Sequence, residues 1–255
     1  TVNVTNVNDV APVFTSEATL SAAENQTAIG TVTATDAEGD DVSFTVSGSE
    51  LEITSVGVLS FVTAPDYETK STYTATVTAT DGINSSDQSI TVNVTNVNEA
   101  PVFTSPTLYD ADENQTAIGE VVATDVDSTS LIYTVTGSNF AITSDGTLTF
   151  ITAPDYETKS SYIGSVTVSD GNLSTTQSIT VTVNNLNDNA PTFTSSSSFS
   201  AAENQTSIGT VTATDPDGNL NVITYSVSGS ELSITSVGVL SFVTAPDYET
   251  KSTYT

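Results

Sequence analysis

The sequence predicts an all-β chain of tandem sandwiches, each of about seven strands. Three observations carry this: a Thr/Ser/Val composition, a hydrophobic period of two, and an internal repeat of about ninety residues. Thr, Ser and Val dominate, while Leu, Gln, Lys and Arg, common in ordinary helices, are scarce. At 36% apolar, the 255-residue chain is too hydrophobic for an acidic disordered tail.

The repeat is read from landmarks. Glu24-Asn25-Gln26-Thr27 returns at Glu113-Asn114-Gln115-Thr116 and at Glu203-Asn204-Gln205-Thr206, in steps of 89 and 90 residues. Ala-Pro-Asp-Tyr-Glu-Thr-Lys returns around Asp66, Asp155 and Asp247, and Ala-Pro-x-Phe ends at Phe14, Phe103 and Phe193. The three lysines, Lys70, Lys159 and Lys251, occupy one slot, and residues 53–74 and 234–255 are identical. Residues 1–8 repeat at 91–98, and Tyr254 matches Tyr73. The expected organisation is therefore a window on a longer array, truncated at both ends. Residues 1–10 are the last strand and linker of a preceding repeat. Repeat 1 spans 11–99, repeat 2 spans 100–189, and repeat 3, C-terminally truncated, spans 190–255.

Each element follows from local pattern. Phe44 and Val46 alternate with polar residues, as do Leu59 and Phe61; Tyr73, Ala75, Val77 and Ala79; and Ile90, Val92 and Val94. Such runs predict half-buried antiparallel strands. Turns are predicted at 37–40, 47–49, 56–57, 64–66 and 81–82, where Gly, Pro, Asp and Ser cluster. Seven strands in one repeat fit a Greek-key, immunoglobulin-like sandwich. A repeat of this length can bury a modest core without a disulfide.

Charge restricts function. Against 31 acidic residues stand three lysines, giving a net charge of −28. So few cations exclude a nucleic-acid surface and disfavour anionic membrane. No apolar run approaches the ~18–20 residues of a spanning helix, so no direct membrane insertion is expected in this window. Without Cys there is no disulfide, thiolate metal site or cysteine nucleophile. Without His the Ser-His-Asp triad and the commonest general base are absent. Paired carboxylates can cleave glycosides, but clusters repeated at domain ends read as structural sites, so no enzyme is expected.

The acids recur at fixed positions off the strand centres. The clusters are Glu24; Asp66 with Glu68; the Asn-x-Asn-Asp stretch at 6–9; Asp36 with Glu38; and Asp81. At the first complete junction Glu24, Asp66, Glu68, Glu99, Asp125, Asp127 and Asp170 are expected to crowd together. Without cations such a cluster repels itself. Hard divalent ions with oxygen ligands are the natural partner, and calcium tolerates irregular six- to eight-fold shells. Twenty of the 31 acids fall on repeat-matched positions, which favours ion binding over simple solvation.

These motifs resemble those of cadherin repeats: Glu-Asn, Asp-x-Glu, Asp-x-Asp, Asp-Gly and the linker Asn-x-Asn-Asp-Asn-Ala-Pro-x-Phe, clearest at 185–193. The resemblance covers nearly the whole chain, in family order and spacing. It implies calcium at each junction. At the first complete junction the matching ligands are Glu24, Asp66 and Glu68, then Asn96, Asn98 and Glu99, then Asp125, Asp127 and Asp170. At the second they are Glu113, Asp155, Glu157, Asn185, Asn187, Asp188, Asn189, Asp215 and Asp217. At the incomplete N-terminal junction they are Asn6, Asn8, Asp9, Asp36, Glu38 and Asp81. Glu203, Asp247 and Glu249 match the outgoing ligands of repeat 3.

There are departures. The first linker Asp is Asn at 6, 96 and 185, and the position matching Asn189 is missing from linker 1. No repeat carries the strand-A tryptophan that vertebrate adhesion cadherins exchange. The Thr/Ser/Val character and near-identical duplicates resemble repeats of large bacterial surface or secreted adhesins. The resemblance implies a calcium-rigidified extracellular stalk or cell-adhesion module, with other cell-surface proteins or glycans as partners. Two alternatives stay open. One is a carbohydrate-binding or spacer array within a secreted polysaccharide-active enzyme. The other is a calcium-independent immunoglobulin-like spacer.

Overall fold

The computed structural model describes residues 1–218 and 220–255, and every regular element in it is a β-strand. The chain divides into two compact units, Thr1–Glu99 and Ala100–Thr255.

In the first unit one sheet has four strands, in the order Thr19–Ala23, Ser85–Thr95, Thr72–Thr80, Ser43–Val46. The other has three, in the order Ala28–Thr31, Val58–Phe61, Leu51–Ile53. A short pair, Val13–Phe14 with Ala34–Thr35, completes the edge. The period-two pattern explains the layering. Val77, Ala79, Ile90, Val92 and Val94 point inward and meet Leu51, Leu59 and Phe61 from the facing sheet. Threonines and serines between them face water. Each large apolar side chain so buried contributes ~1.5–3 kcal/mol.

The second unit repeats this plan. Its four-stranded sheet runs Leu108–Asp112, Ser174–Asn184, Ser161–Ser169, Ile132–Thr136, and its three-stranded sheet Ala117–Glu120, Thr147–Phe150, Phe140–Ile142. Phe140, Leu148, Phe150, Val166, Ile179, Val181 and Val183 form the core. Residues 190–255 contribute a three-stranded sheet, Ser207–Thr210, Val239–Phe242, Leu232–Ile234, and the pair Thr192–Phe193 with Ala213–Thr214.

One turn shows why glycine is required. Gly57, Gly146 and Gly238 have φ of 86–90°. A Cβ there would stand 2.1–2.2 Å from the carbonyl oxygen of Val32, Val121 or Val211. That approach lets Val32 N–H donate to Gly57 O at 2.8 Å and closes the hairpin on the strand before it.

Two expectations need correction. The strands are not all antiparallel: Thr19–Ala23 runs parallel to Ser85–Thr95, and Leu108–Asp112 parallel to Ser174–Asn184. Val13–Phe14 pairs instead with Ala34–Thr35, and the chain then crosses to the four-stranded sheet, where Thr19–Ala23 lies beside Ser85–Thr95 and runs in the same direction. Residues 1–10, expected to be the last strand and linker of a preceding repeat, form no strand among the described residues, and Val2 and Val4 lie exposed. The identical stretch at 91–95 is a strand because Thr19–Ala23 and Thr72–Thr80 flank it. Residues 1–5 have neither neighbour.

Candidate metal centre

Glu24 sits where three chain segments converge. Its backbone N–H donates to Thr95 O, and the neighbouring Asn25 N–H donates to Pro65 O. The Glu24 side chain is 3% exposed; Oε2 accepts from Tyr67 N–H and Oε1 from Val97 N–H, both at 2.8 Å. Glu113 repeats this at 2% exposure, accepting from Tyr156 N–H and Leu186 N–H at 2.8 and 2.7 Å. A buried carboxylate thus ties the Asp-Tyr-Glu loop to the outgoing linker.

Further carboxylates gather on these anchors. Oxygens of Glu24, Glu68 and Glu99 lie within 4.8 Å of one another, as do those of Glu113, Asp155 and Glu157 and those of Glu157, Asp188 and Asp217. Asn96 Nδ2 donates to Glu68 Oε1 at 2.9 Å, and Asn98 Nδ2 to Glu99 O at 2.9 Å. Asp66 is turned to Thr69, whose N–H and hydroxyl it accepts. Asp155 does the same with Thr158, and Asp247 accepts from the Thr250 hydroxyl and from Glu249 N–H; those hydroxyls hold both carboxyls below their ordinary range.

The second linker and both sets of flanking loops lie within the second unit. Asn189 organises them. Its N–H donates to Asp217 Oδ2 at 2.8 Å, and its amide reaches Asp217 Oδ1 at 2.9 Å, Asp188 Oδ1 at 2.7 Å and Glu157 Oε2 at 3.2 Å. Asp217 is 3% exposed. Desolvation pushes its carboxyl upward, but the Asn189 donors outweigh this and hold it below its ordinary range. Glu157 goes the other way, raised by desolvation and then by the charges of Glu113, Asp217 and Asp155. Asp215 Oδ1 accepts from Asp217 N–H at 3.0 Å, and Asn185 Nδ2 donates to Asp217 O at 3.5 Å. Asn187 is exposed.

The N-terminal ends of the repeats follow one scheme. Asp36 Oδ1 accepts from Glu38 N–H at 2.8 Å, and Glu38 accepts from Asp9 and Val10 N–H. Burial raises the Glu38 carboxyl against the lowering donation from Val10. Asp81 Oδ1 accepts from Ile83 and Asn84 N–H, and Asn84 Nδ2 reaches Asn8 Oδ1 at 2.7 Å. Desolvation at Asp81 is outweighed by these donors, so its carboxyl is lowered. Asn6 is exposed. In the second unit Asp125 Oδ1 accepts from Asp127 and Ser128 N–H, and Asp170 Oδ1 from Asn172 and Leu173 N–H. Glu203, Asp247 and Glu249 also bring oxygens together, but all three are exposed.

The donor set fits a hard cation. All the grouped ligand atoms are carboxylate oxygens. Asp36 Oδ2, Asp125 Oδ2 and Asn185 Oδ1 are buried with no hydrogen-bond partner among the described residues. Buried polar atoms are ordinarily satisfied, and a bound cation would satisfy oxygens such as these. Sequence reasoning missed four participants. Asp40 joins the Asp36–Glu38 group, a role its place two residues after Glu38 could have suggested. Asn84 bridges Asn8 to Asp81, with Leu173 at the matching place in repeat 2. Asn25 and Asn114 reach the linker acids, and only their position beside Glu24 and Glu113 hinted at it.

Comparison with known proteins agrees with this architecture. A bacterial Ig domain family model matches residues 98–184. The chain is 34% identical over 234 residues to Protocadherin Fat 4 of Mus musculus, covering 81% of this chain and 5% of that protein. It is 32% identical over 291 residues to Protocadherin Fat 1 of Homo sapiens, covering 100% of this chain and 6% of that protein. Among solved structures, the Protocadherin GammaB4 extracellular domain superposes with a TM-score of 0.63 at 26% identity, over 97% of this chain and 46% of that one. Mouse Cadherin-23 EC22-24 superposes at 0.62 and 23% identity, over 94% and 90%; at that identity the likeness concerns the fold.

Proposed function

We propose that this chain, a run of cadherin-like extracellular repeats, binds calcium through the carboxylates at its repeat ends and that the ions stiffen the linkers of an adhesin stalk or cell-adhesion module. The observation that carries this is the Glu157–Asp188–Asp217 group, drawn from a loop of repeat 2, the linker and a loop of repeat 3. Three like charges so close repel; the Glu157 carboxyl is raised first by desolvation and then by the charges of Glu113, Asp217 and Asp155. A divalent ion turns that repulsion into a crosslink between segments that otherwise push apart. The candidate ligands are those the cadherin resemblance implies, in repeats spanning 11–99, 100–189 and 190–255. No helix among the described residues is long and apolar enough to cross a membrane.

Extracellular calcium modules have dissociation constants of ~10⁻⁴–10⁻³ M, and an ion at about ten times that concentration adds ~1.4 kcal/mol to the bound state. Several such ions suffice to hold a linker in one conformation. The named relatives are cadherins rather than enzymes, which supports a non-catalytic role. The chain spans 5–6% of the length of those relatives, so its adhesive partners, cell-surface proteins or glycans, belong to this proposal. The bacterial Ig domain match, with the absence of Cys and Trp, supports a bacterial adhesin.

Calorimetric titration of the full chain with calcium tests the reading, with limited proteolysis in parallel. Saturable binding of several ions in the sub-millimolar to millimolar range is expected. Calcium should protect residues 184–190 from cleavage, and chelator should reverse it. No binding at 10 mM calcium, or equal cleavage in both conditions, overturns the proposal.

A further inference from the structure

Asn25, Asn114 and Asn204 are the three non-glycine residues with positive φ among the described residues, at 63°, 64° and 60°. This left-handed conformation costs most residues steric energy and is tolerated by Asn. Their backbone N–H groups donate to Pro65, Pro154 and Pro246 carbonyls at 3.0, 3.0 and 2.9 Å, fixing each asparagine over the Ala-Pro-Asp loop. From there the Asn25 amide donates to Glu99 Oε1 and the Asn114 amide to Asp188 Oδ2, both at 2.5 Å. The separation is 74 residues in each case. One amide therefore finds the linker acid in both linkers, although one acid is Glu and the other Asp.

We infer that Asn25 and Asn114 are positioning residues for the linker carboxylates. Each amide captures one oxygen of an acid that stands in a three-acid group, Glu99 with Glu24 and Glu68 or Asp188 with Glu157 and Asp217, and so fixes how that acid faces its neighbours; at Asp188 the Asn189 amide holds the other oxygen. The inference rests on the calcium reading above. The unusual backbone has a purpose here: an extended or helical φ would swing the side chain away from the linker. Asn204 has the same conformation and the same Pro tie, and no linker acid follows it within this chain, so it serves as an internal control.

The test uses the full chain and calcium itself. Amide resonances of Leu186 and Asn189 report binding at the second linker site by site during a calcium titration. Asn114→Gly keeps the positive φ and removes the amide. The midpoint at the second linker should move about 10- to 100-fold to higher calcium, the usual cost of removing a group that orients a metal ligand. Asn204→Gly should leave that midpoint unchanged. In an Asp188→Asn background, Asn114→Gly should cause little further loss, because its effect runs through that carboxylate. A merely structural role predicts an equal loss in both backgrounds, and that result overturns the inference, as does an unchanged midpoint in Asn114→Gly. Absence of calcium binding by the unsubstituted chain would instead overturn the calcium reading. Melting in chelator, expected to be similar for Asn114→Gly and Asn204→Gly, separates misfolding from lost positioning.

Discussion

Residues 53–74 and 234–255 have one sequence and two environments. In the first, Leu59 and Phe61 are each 1% exposed; in the second, Leu240 is 9% exposed and Phe242 is half-buried. The ring pairs are alike: Phe61 meets Tyr73 edge-on at 5.0 Å, and Phe242 meets Tyr254 at 4.9 Å. What differs is the facing layer. Repeat 1 covers these residues with the strands Thr72–Thr80 and Ser85–Thr95. No described strand covers repeat 3 in that way, and an apolar cleft lined by Phe193, Phe199, Tyr225, Leu232 and Leu240 opens instead. The anchor acids follow suit, with Glu113 buried on two backbone donors and Glu203 exposed on one. Burial in these sandwiches is conferred by the last two strands rather than by the segment that becomes buried.

The largest expected difference is in hydrogen exchange. Amides of 58–61 should open only with the whole repeat, whereas those of 239–242 should open locally. Protection should differ by about 10³-fold or more, given how widely local and global opening energies are spread. Equal protection of the two identical segments would show that the last two strands do not confer the stability.

A pair of core substitutions sharpens the comparison. Phe61→Ala should cost ~3–5 kcal/mol, as usual for a buried aromatic truncated to Ala. Phe242→Ala should cost less than about half of that, since its ring already meets solvent. Calorimetric melting of the full chain measures both. Equal costs would mean that the cleft closes in solution.

Much of this was legible beforehand, for definite reasons. Alternation of Ile90, Val92 and Val94 with polar residues declared a strand with one wet face, and that is their placement. The recurring repeat positions of Glu24, Asp66, Glu68, Glu99, Asp125, Asp127 and Asp170 suggested a shared site; of these, oxygens of Glu24, Glu68 and Glu99 lie within 4.8 Å of one another. The parallel pairing of Thr19–Ala23 was not legible, since alternation says which face is buried and not which way a neighbour runs. Nor was the asparagine amide's grip on Glu99, which depends on a left-handed backbone that a Glu-Asn dipeptide does not announce.

The smallest effect belongs to a turn where repeat 2 departs from both neighbours. Asp145 stands where the others carry Val56 and Val237. It accepts from the Thr143 hydroxyl, and the Thr143 hydroxyl in turn accepts from Thr147 N–H at 3.0 Å. The Thr143 hydroxyl bond is the main reason the Asp145 carboxyl lies below its ordinary range. A group lowered in the folded state binds fewer protons there than when unfolded. Its stabilisation is therefore present above the unfolded value of about 3.9 and is lost as pH falls through the lower folded value. Asp145→Val, which gives repeat 2 its neighbours' turn, should lower the melting temperature slightly at pH 7 and leave it nearly unchanged well below pH 3. Asp145 is fully exposed, so salt should shrink the difference further. A larger destabilisation at low pH than at neutral pH would reverse the sign of this linkage and assign the turn's stability to packing by the side chain rather than to its charge.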